Sequence, residues 1–191
     1  LVETLRKLIE RYILLYPEMK EDSEDFKNAL RKLTTDNIWG VDNNLSAIQV
    51  AIFSIYLTLL DYQEPSSIEN FRFPKLLNTN FFEADFFNVK HEFNNYLKKL
   101  DLNFILGNPP WKGSGMDDIG KQYLENRRKK EKGKKYPIAV NNGEIAEGFV
   151  LRVSDFTSPS TEIALIVRSS ILYNLGYNKG DKSTFRTYWT E

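Results

Sequence analysis

The chain has 191 residues, 41% hydrophobic and 27% charged, which is room for one domain with a sizeable core but not comfortably for two. Its 26 basic and 26 acidic side chains leave a formal net charge of zero, so bulk electrostatics announces no nucleic-acid partner. Cysteine is absent and histidine occurs once, at His91, which argues against disulfide scaffolds, Cys/His zinc sites, cysteine nucleophiles and Ser-His-Asp machinery.

Residues 1–15, "LVETLRKLIERYILL", place Leu1, Leu5, Leu8, Ile9 and Tyr12 at spacings of three and four, the signature of one apolar face on a helix. The alternation of charged and apolar side chains there is unlike a secretory signal. No cap or turn precedes Leu1, so an excised piece of something longer is expected. The acidic stretch 17–25 reads as a loop, and a second, short helix is expected over 26–33. Ile38, Trp39 and Val41 form a short strand that stops at Asp42. The next segment, "LSAIQVAIFSIYLTLLDY", has capping-box spacing at Ser46 and Gln49 and is apolar nearly all round, so it reads as a buried helix. Its apolar run is too short for a bilayer and contains Gln49, Ser54 and Thr58, so a cytoplasmic protein with no membrane partner is expected.

"TNFFEADFF" reads as a brief strand ending near Asp85. Residues 92–100 read as a small helix with Phe93, Leu97 and Leu100 on one side, and His91, in a polar stretch expected to be helical, as an ordinary surface residue. "LNFILGNPPW" is the next strand and its exit. From Lys121 to Lys135 there are eight Lys or Arg against two Glu, which suits either a solvated loop or contact with phosphates. Ile145, Phe149, Val153 and Phe156 mark a helix, Pro159 breaks it, and "EIALIV" over 162–167 is a further strand. The tail over 171–191 has no clear assignment. Strands alternating with helices imply an α/β fold around a largely parallel sheet.

Three strands finish in a polar residue, Asp42, Asp85 and Asn108, and open parallel sheets bind ligands beyond the carboxyl ends of their strands. A carboxylate after a second strand suits both ribose hydroxyls of an adenosine-containing cofactor, although Asp is also favoured at such turns for capping. In "NPPW", residues 108–111, each proline fixes its own φ and restricts the residue before it, making a rigid arm. The Asn108 side-chain oxygen and the Pro109 carbonyl are then two set acceptors, suited to an exocyclic amine, and Trp111 offers a plane for stacking a base. The alternative is a structural Pro-Pro turn with Trp111 in the core.

"NPPW" resembles the catalytic motif of the amino-group DNA methyltransferases, specifically the adenine-N6 enzymes of restriction-modification systems. "IWGVDNNLSAIQVA" is similar to their segment carrying the ribose-binding acid, and "FFEADFF" to the one whose acid approaches the cofactor adenine. The style of these segments is that of the large combined restriction-and-methylation polypeptides, and the likeness runs over roughly residues 1–172. It implies a Rossmann-like methyltransferase fold with helices on both faces of the sheet. It also implies S-adenosylmethionine as cofactor and double-stranded DNA as partner through the full-length protein, with no metal. Asn108, Pro109, Pro110 and Trp111 would be catalytic, and Asp42, Asn43, Asp85 and Phe86 would bind the cofactor.

The chemistry implied is direct displacement by the N6 nitrogen of a flipped adenine, which needs no cysteine, whereas methylation at cytosine C5 does. The family's glycine-rich loop, Asp-Pro-x-x-Gly-x-Gly, is missing. Its strand and loop are therefore expected upstream of Leu1, and the last strands and the target-recognition domain beyond Glu191. Only 22 residues separate Asp85 from Asn108, so no recognition domain is inserted between them. Loss of the first strand should leave a gap or let the strands of Asp42 and Asn108 pair, and the isolated piece is expected to bind the cofactor poorly and to be inactive. RNA and protein-glutamine methyltransferases with similar arms are the nearest rivals, followed by a non-catalytic nucleic-acid-binding module. A nucleotide-dependent oxidoreductase leaves "NPPW" unexplained.

Overall fold

The computed structural model describes residues 1–111, 115–132, 140, 144–169 and 171. The chain divides into two compact units, Leu1–Ala84 and Asp85–Glu191.

In the first unit, α1 (Val2–Leu15) buries Leu5 and Ile9, as its three-four spacing requires. Helix α2 runs over Glu24–Asn37, longer at both ends than the periodicity suggests. The extension has local causes: Ser23 Oγ accepts the Phe26 N–H at 3.1 Å, and Glu24 and Asp25 sit in the first turn, where negative charge meets the helix dipole favourably. Strand β1 is Gly40–Asp42, and α3 is Leu45–Leu60. The cap of α3 is Asn44, whose Oδ1 accepts from Ser46 N at 2.9 Å and Ala47 N at 3.3 Å, so the Ser46/Gln49 box does not form. Nor is α3 buried all round. Ile48, Ile52, Ile55 and Leu59 are buried where α3 packs on α1 and the strands, while Val50, Phe53 and Leu57 are exposed.

A 3-10 helix over Pro65–Asn70 precedes β2 (Phe81–Glu83), which pairs in parallel with β1 in the register Gly40↔Phe81, Val41↔Phe82, Asp42↔Glu83. A Cβ at Gly40 would lie 2.8 Å from the Phe81 ring, so this close approach needs glycine. Buried Asn80 ties the sheet to α2 by donating to the carbonyls of Thr35 at 2.7 Å and Ile38 at 3.0 Å. Those bonds satisfy the end of α2, whose last carbonyls have no partner within the helix.

The second unit contains α4 (Phe93–Leu97), β3 (Phe104–Gly107), α5 (Asp118–Lys130), α6 (Ile145–Val153), a 3-10 turn over Ser154–Phe156 and β4 (Glu162–Leu165). Strands β3 and β4 pair in parallel, from Phe104↔Glu162 to Gly107↔Leu165. Among the described residues, the strand that ends at Asp42 and the strand that leads to Asn108 belong to separate two-stranded parallel sheets. The basic segment is largely helix. Asp117 caps α5 through the Gly120 N–H at 2.8 Å, Tyr123 and Leu124 are buried, and Glu125 pairs with Lys129 one turn on. Its residues 133–135, like the whole tail from 172, lie outside the described residues. His91 is not helical; it precedes α4, and its Nδ1 accepts the Phe93 N–H at 3.3 Å.

Among the described residues no helix is long and apolar enough to cross a membrane, and no group of three or more His, Asp or Glu is arranged to hold a metal ion.

Candidate functional site

Strand β3 leaves its sheet with a bond from Ile166 N to Gly107 O at 2.9 Å, and Asn108 is the next residue. Because β3 and β4 are parallel, Asn108 and Ile166 follow the same carboxyl edge. Asn108 is exposed, Pro109 is buried and anchors the turn, and Pro110 is exposed. Trp111 lies 57% exposed and is not a core residue. Its indole N–H is shared between Asn108 Oδ1 at 3.1 Å and the Ile166 carbonyl at 3.2 Å, and Arg168 donates to the Trp111 carbonyl at 3.3 Å. The exit of β4 thus holds the far end of the arm. Beside it runs an open groove walled by Leu106, Ile163, Leu165 and Ile166 and including Asn108.

Asp85 and Phe86 follow β2 in the same unit as this arm. Asp85 Oδ1 accepts the Phe87 N–H at 2.7 Å. Its carboxyl is held above the usual carboxylate range, first by burial and then by the hydrogen bond and charge of Asp117; the Phe87 N–H and the Arg152 guanidinium oppose this only in part. Phe86 is half-buried, stacked at 5.3 Å on Phe149 and at 6.1 Å on Phe93, with Arg152 over its ring.

Asp42 and Asn43 belong to the first unit. Asp42 closes β1, is exposed, and accepts the Asn44 N–H through Oδ1 at 2.8 Å. That bond sets the carboxylate beside the start of α3 and uses one of its two oxygens. Asn43 is exposed in the bend between β1 and α3.

Four residues in these arrangements escape a reading of the sequence: Asp117, Arg152, Ile166 and Arg168. A signal exists for Arg152, the one cation in the otherwise apolar run "GFVLRV". A charge embedded at core positions of an amphipathic helix requires partners that only folding supplies. The other three have none, since Asp117 looks like an ordinary cap and Ile166 acts through its backbone.

Comparison of the chain with curated proteins and with solved structures gives no match. A family model matches residues 36–188, that of the Eco57I restriction-modification methylase. This span takes in Asp42, Asp85, the Asn-Pro-Pro-Trp arm and both strands that hold it, and the chain accordingly belongs to the Eco57I restriction-modification methylase family.

Proposed function

We propose that the chain carries the catalytic arm of a site-specific DNA adenine N6-methyltransferase, built on a Rossmann-like fold and drawing its methyl group from S-adenosylmethionine. The observation that carries this reading is the position of Asn108, immediately past the carboxyl end of a strand in a parallel pair, with its amide exposed and an exposed indole three residues on.

The acids fit the cofactor. Asp42 offers a second carboxylate oxygen, free of any hydrogen bond among the described residues, to a ribose hydroxyl, with Asn43 exposed beside it. Asp85, held above the usual range, suits a purine nitrogen or amine better than a cation, and half-buried Phe86, packed on Phe149 and Phe93, follows it in the chain. When bound, S-adenosylmethionine supplies a methyl group on a positively charged sulfur.

The arm's part follows from its acceptors. Asn108 Oδ1 has two lone pairs and gives only one to Trp111, which leaves the other for an adenine amine. The Pro109 carbonyl takes the second N–H. Held by both, the amine nitrogen loses conjugation with the ring and gains a directed lone pair. Stacking on Trp111 keeps the flipped base in place against its return to the duplex. Exposed Arg128, Lys130 and Lys132 near the end of α5 suit the phosphates of double-stranded DNA.

The test is a methyl-transfer assay on the full-length protein with duplex DNA, RNA and protein offered separately, followed by nucleoside analysis. N6-methyladenine formed in duplex DNA alone is the expected product. Label in RNA or in glutamine side chains assigns the arm to a different amine, and strong DNA binding without cofactor binding or transfer reduces the chain to a binding module.

A further inference from the structure

Arg152 is fully buried, which is costly for a guanidinium unless every donor is matched. Here the matching is extensive. Nε donates to the Phe86 carbonyl at 2.8 Å, one terminal nitrogen donates to Asp155 Oδ2 at 2.7 Å, and the other to Asn94 Oδ1. The rings of Phe156, at 4.6 Å, and of Phe86 and Tyr123, each at 5.4 Å, surround the cation. Asp155 is itself anchored by Tyr123 Oη at 2.9 Å and by Arg127.

One of these bonds differs from the others in what it controls. The Phe86 carbonyl belongs to the peptide whose N–H, on Phe87, donates to Asp85 Oδ1 at 2.7 Å. A peptide unit is planar, so gripping its C=O also fixes the direction of its N–H. Rotation of that plane would break both bonds together and release the Asp85 side chain. We propose that Arg152 is a positioning residue for the cofactor site: through the Phe86–Phe87 peptide it sets the orientation of the Asp85 carboxyl. This rests on the reading that Asp85 contacts the cofactor.

A purely structural role predicts lost stability alone, and positioning predicts more. Arg152→Lys keeps a cation beside Asp155 and loses the Nε donor. In the full-length protein it should raise the exchange rate of the Phe87 amide about tenfold and weaken S-adenosylmethionine binding, measured by calorimetry, about tenfold. Tyr123→Phe touches the same cluster without touching the Phe86 carbonyl, and should leave both readouts unchanged. Folded Arg152→Lys with an unchanged Phe87 amide overturns the proposal, as does an equal change in Tyr123→Phe. Should Arg152→Lys not fold, Asp155→Asn loosens the same guanidinium at its charge anchor. A three- to fivefold faster Phe87 exchange is then expected, and no change overturns the proposal. Asp85→Asn tests the underlying reading separately. If it binds the cofactor as tightly as wild type while Arg152→Lys still frees the Phe87 amide, the peptide grip stands and the role of Asp85 falls.

Discussion

The indole N–H of Trp111 is shared between the side-chain oxygen of Asn108 and the carbonyl of Ile166, at 3.1 and 3.2 Å. One side chain thereby orients the amide and ties the arm to the neighbouring strand. Its plane and its N–H are separable by mutation. Trp111→Ala should weaken binding of the flipped base by about 1–3 kcal/mol, read from 2-aminopurine fluorescence in the DNA complex. Trp111→Phe keeps a ring for stacking and loses the bond to Asn108, so it should hold the base within a few-fold of wild type while lowering the transfer rate. Equal losses of base binding in both variants would show that the ring does not stack on the base.

Asn108→Ala removes one of the two acceptors. Transfer should fall at least about 100-fold, the scale on which a single polar group aimed at a reacting centre acts. Cofactor affinity, measured by calorimetry, should stay within twofold. Turnover near that of wild type removes Asn108 from its role.

Asp85 titrates above the ordinary carboxylate range because of burial and, secondarily, Asp117. Below about pH 3.9 the carboxyl is protonated in both folded and unfolded chains. Between that value and the raised folded pKa, the folded state keeps a proton that the unfolded chain has released, so this group's contribution to stability falls as pH rises through the window. Asp117→Asn preserves the α5 cap, since asparagine caps as well as aspartate, and removes the neighbouring charge. The Asp85 midpoint, followed by carbon NMR of its carboxyl, should move down yet stay above the ordinary value because burial remains. An unmoved midpoint would separate the two carboxyls.

Met116 sits against Gly120 of α5 and Gly148 of α6, where a Cβ on Gly148 would lie 2.5 Å from Met116 Cε and 3.1 Å from Phe87 Cζ. The methionine tip can move and the buried ring cannot. Gly148→Ala should cost about 1–3 kcal/mol by overpacking, measured by denaturant unfolding. Met116→Ala in the same chain should recover part of that loss, and additive losses would show that the two do not share the space.

Arg128, Lys130 and Lys132 are exposed, whereas Lys121 and Lys129 pair with acids on their own helix and Arg127 pairs with Asp155. If the first three meet phosphates, neutralising each to Gln should reduce the salt slope of DNA binding by about 1. The change should be the same on specific and random duplexes. A slope that does not move makes this end of α5 a solvated surface.

Local patterns made much of this legible in the sequence. The helical face of Leu5 and Ile9, the short strand before Asp42 and the strand running into Asn108 follow from periodicity and from proline stereochemistry, which act over a few residues. Cap chemistry is local too, yet Asn44 took the place of Ser46 because an extended residue immediately before the helix reaches two free N–H groups at once. Tertiary structure decided the remainder. That α3 exposes Phe53, that Asp85 meets Asp117, and that Arg152 reaches Asn94 and the Phe86 carbonyl, 58 and 66 residues away, depend on which surfaces packing brings together. Periodicity reports only that a face is apolar, whereas the burial of a charge is set by partners distant in the chain, and those become neighbours only after the backbone has folded.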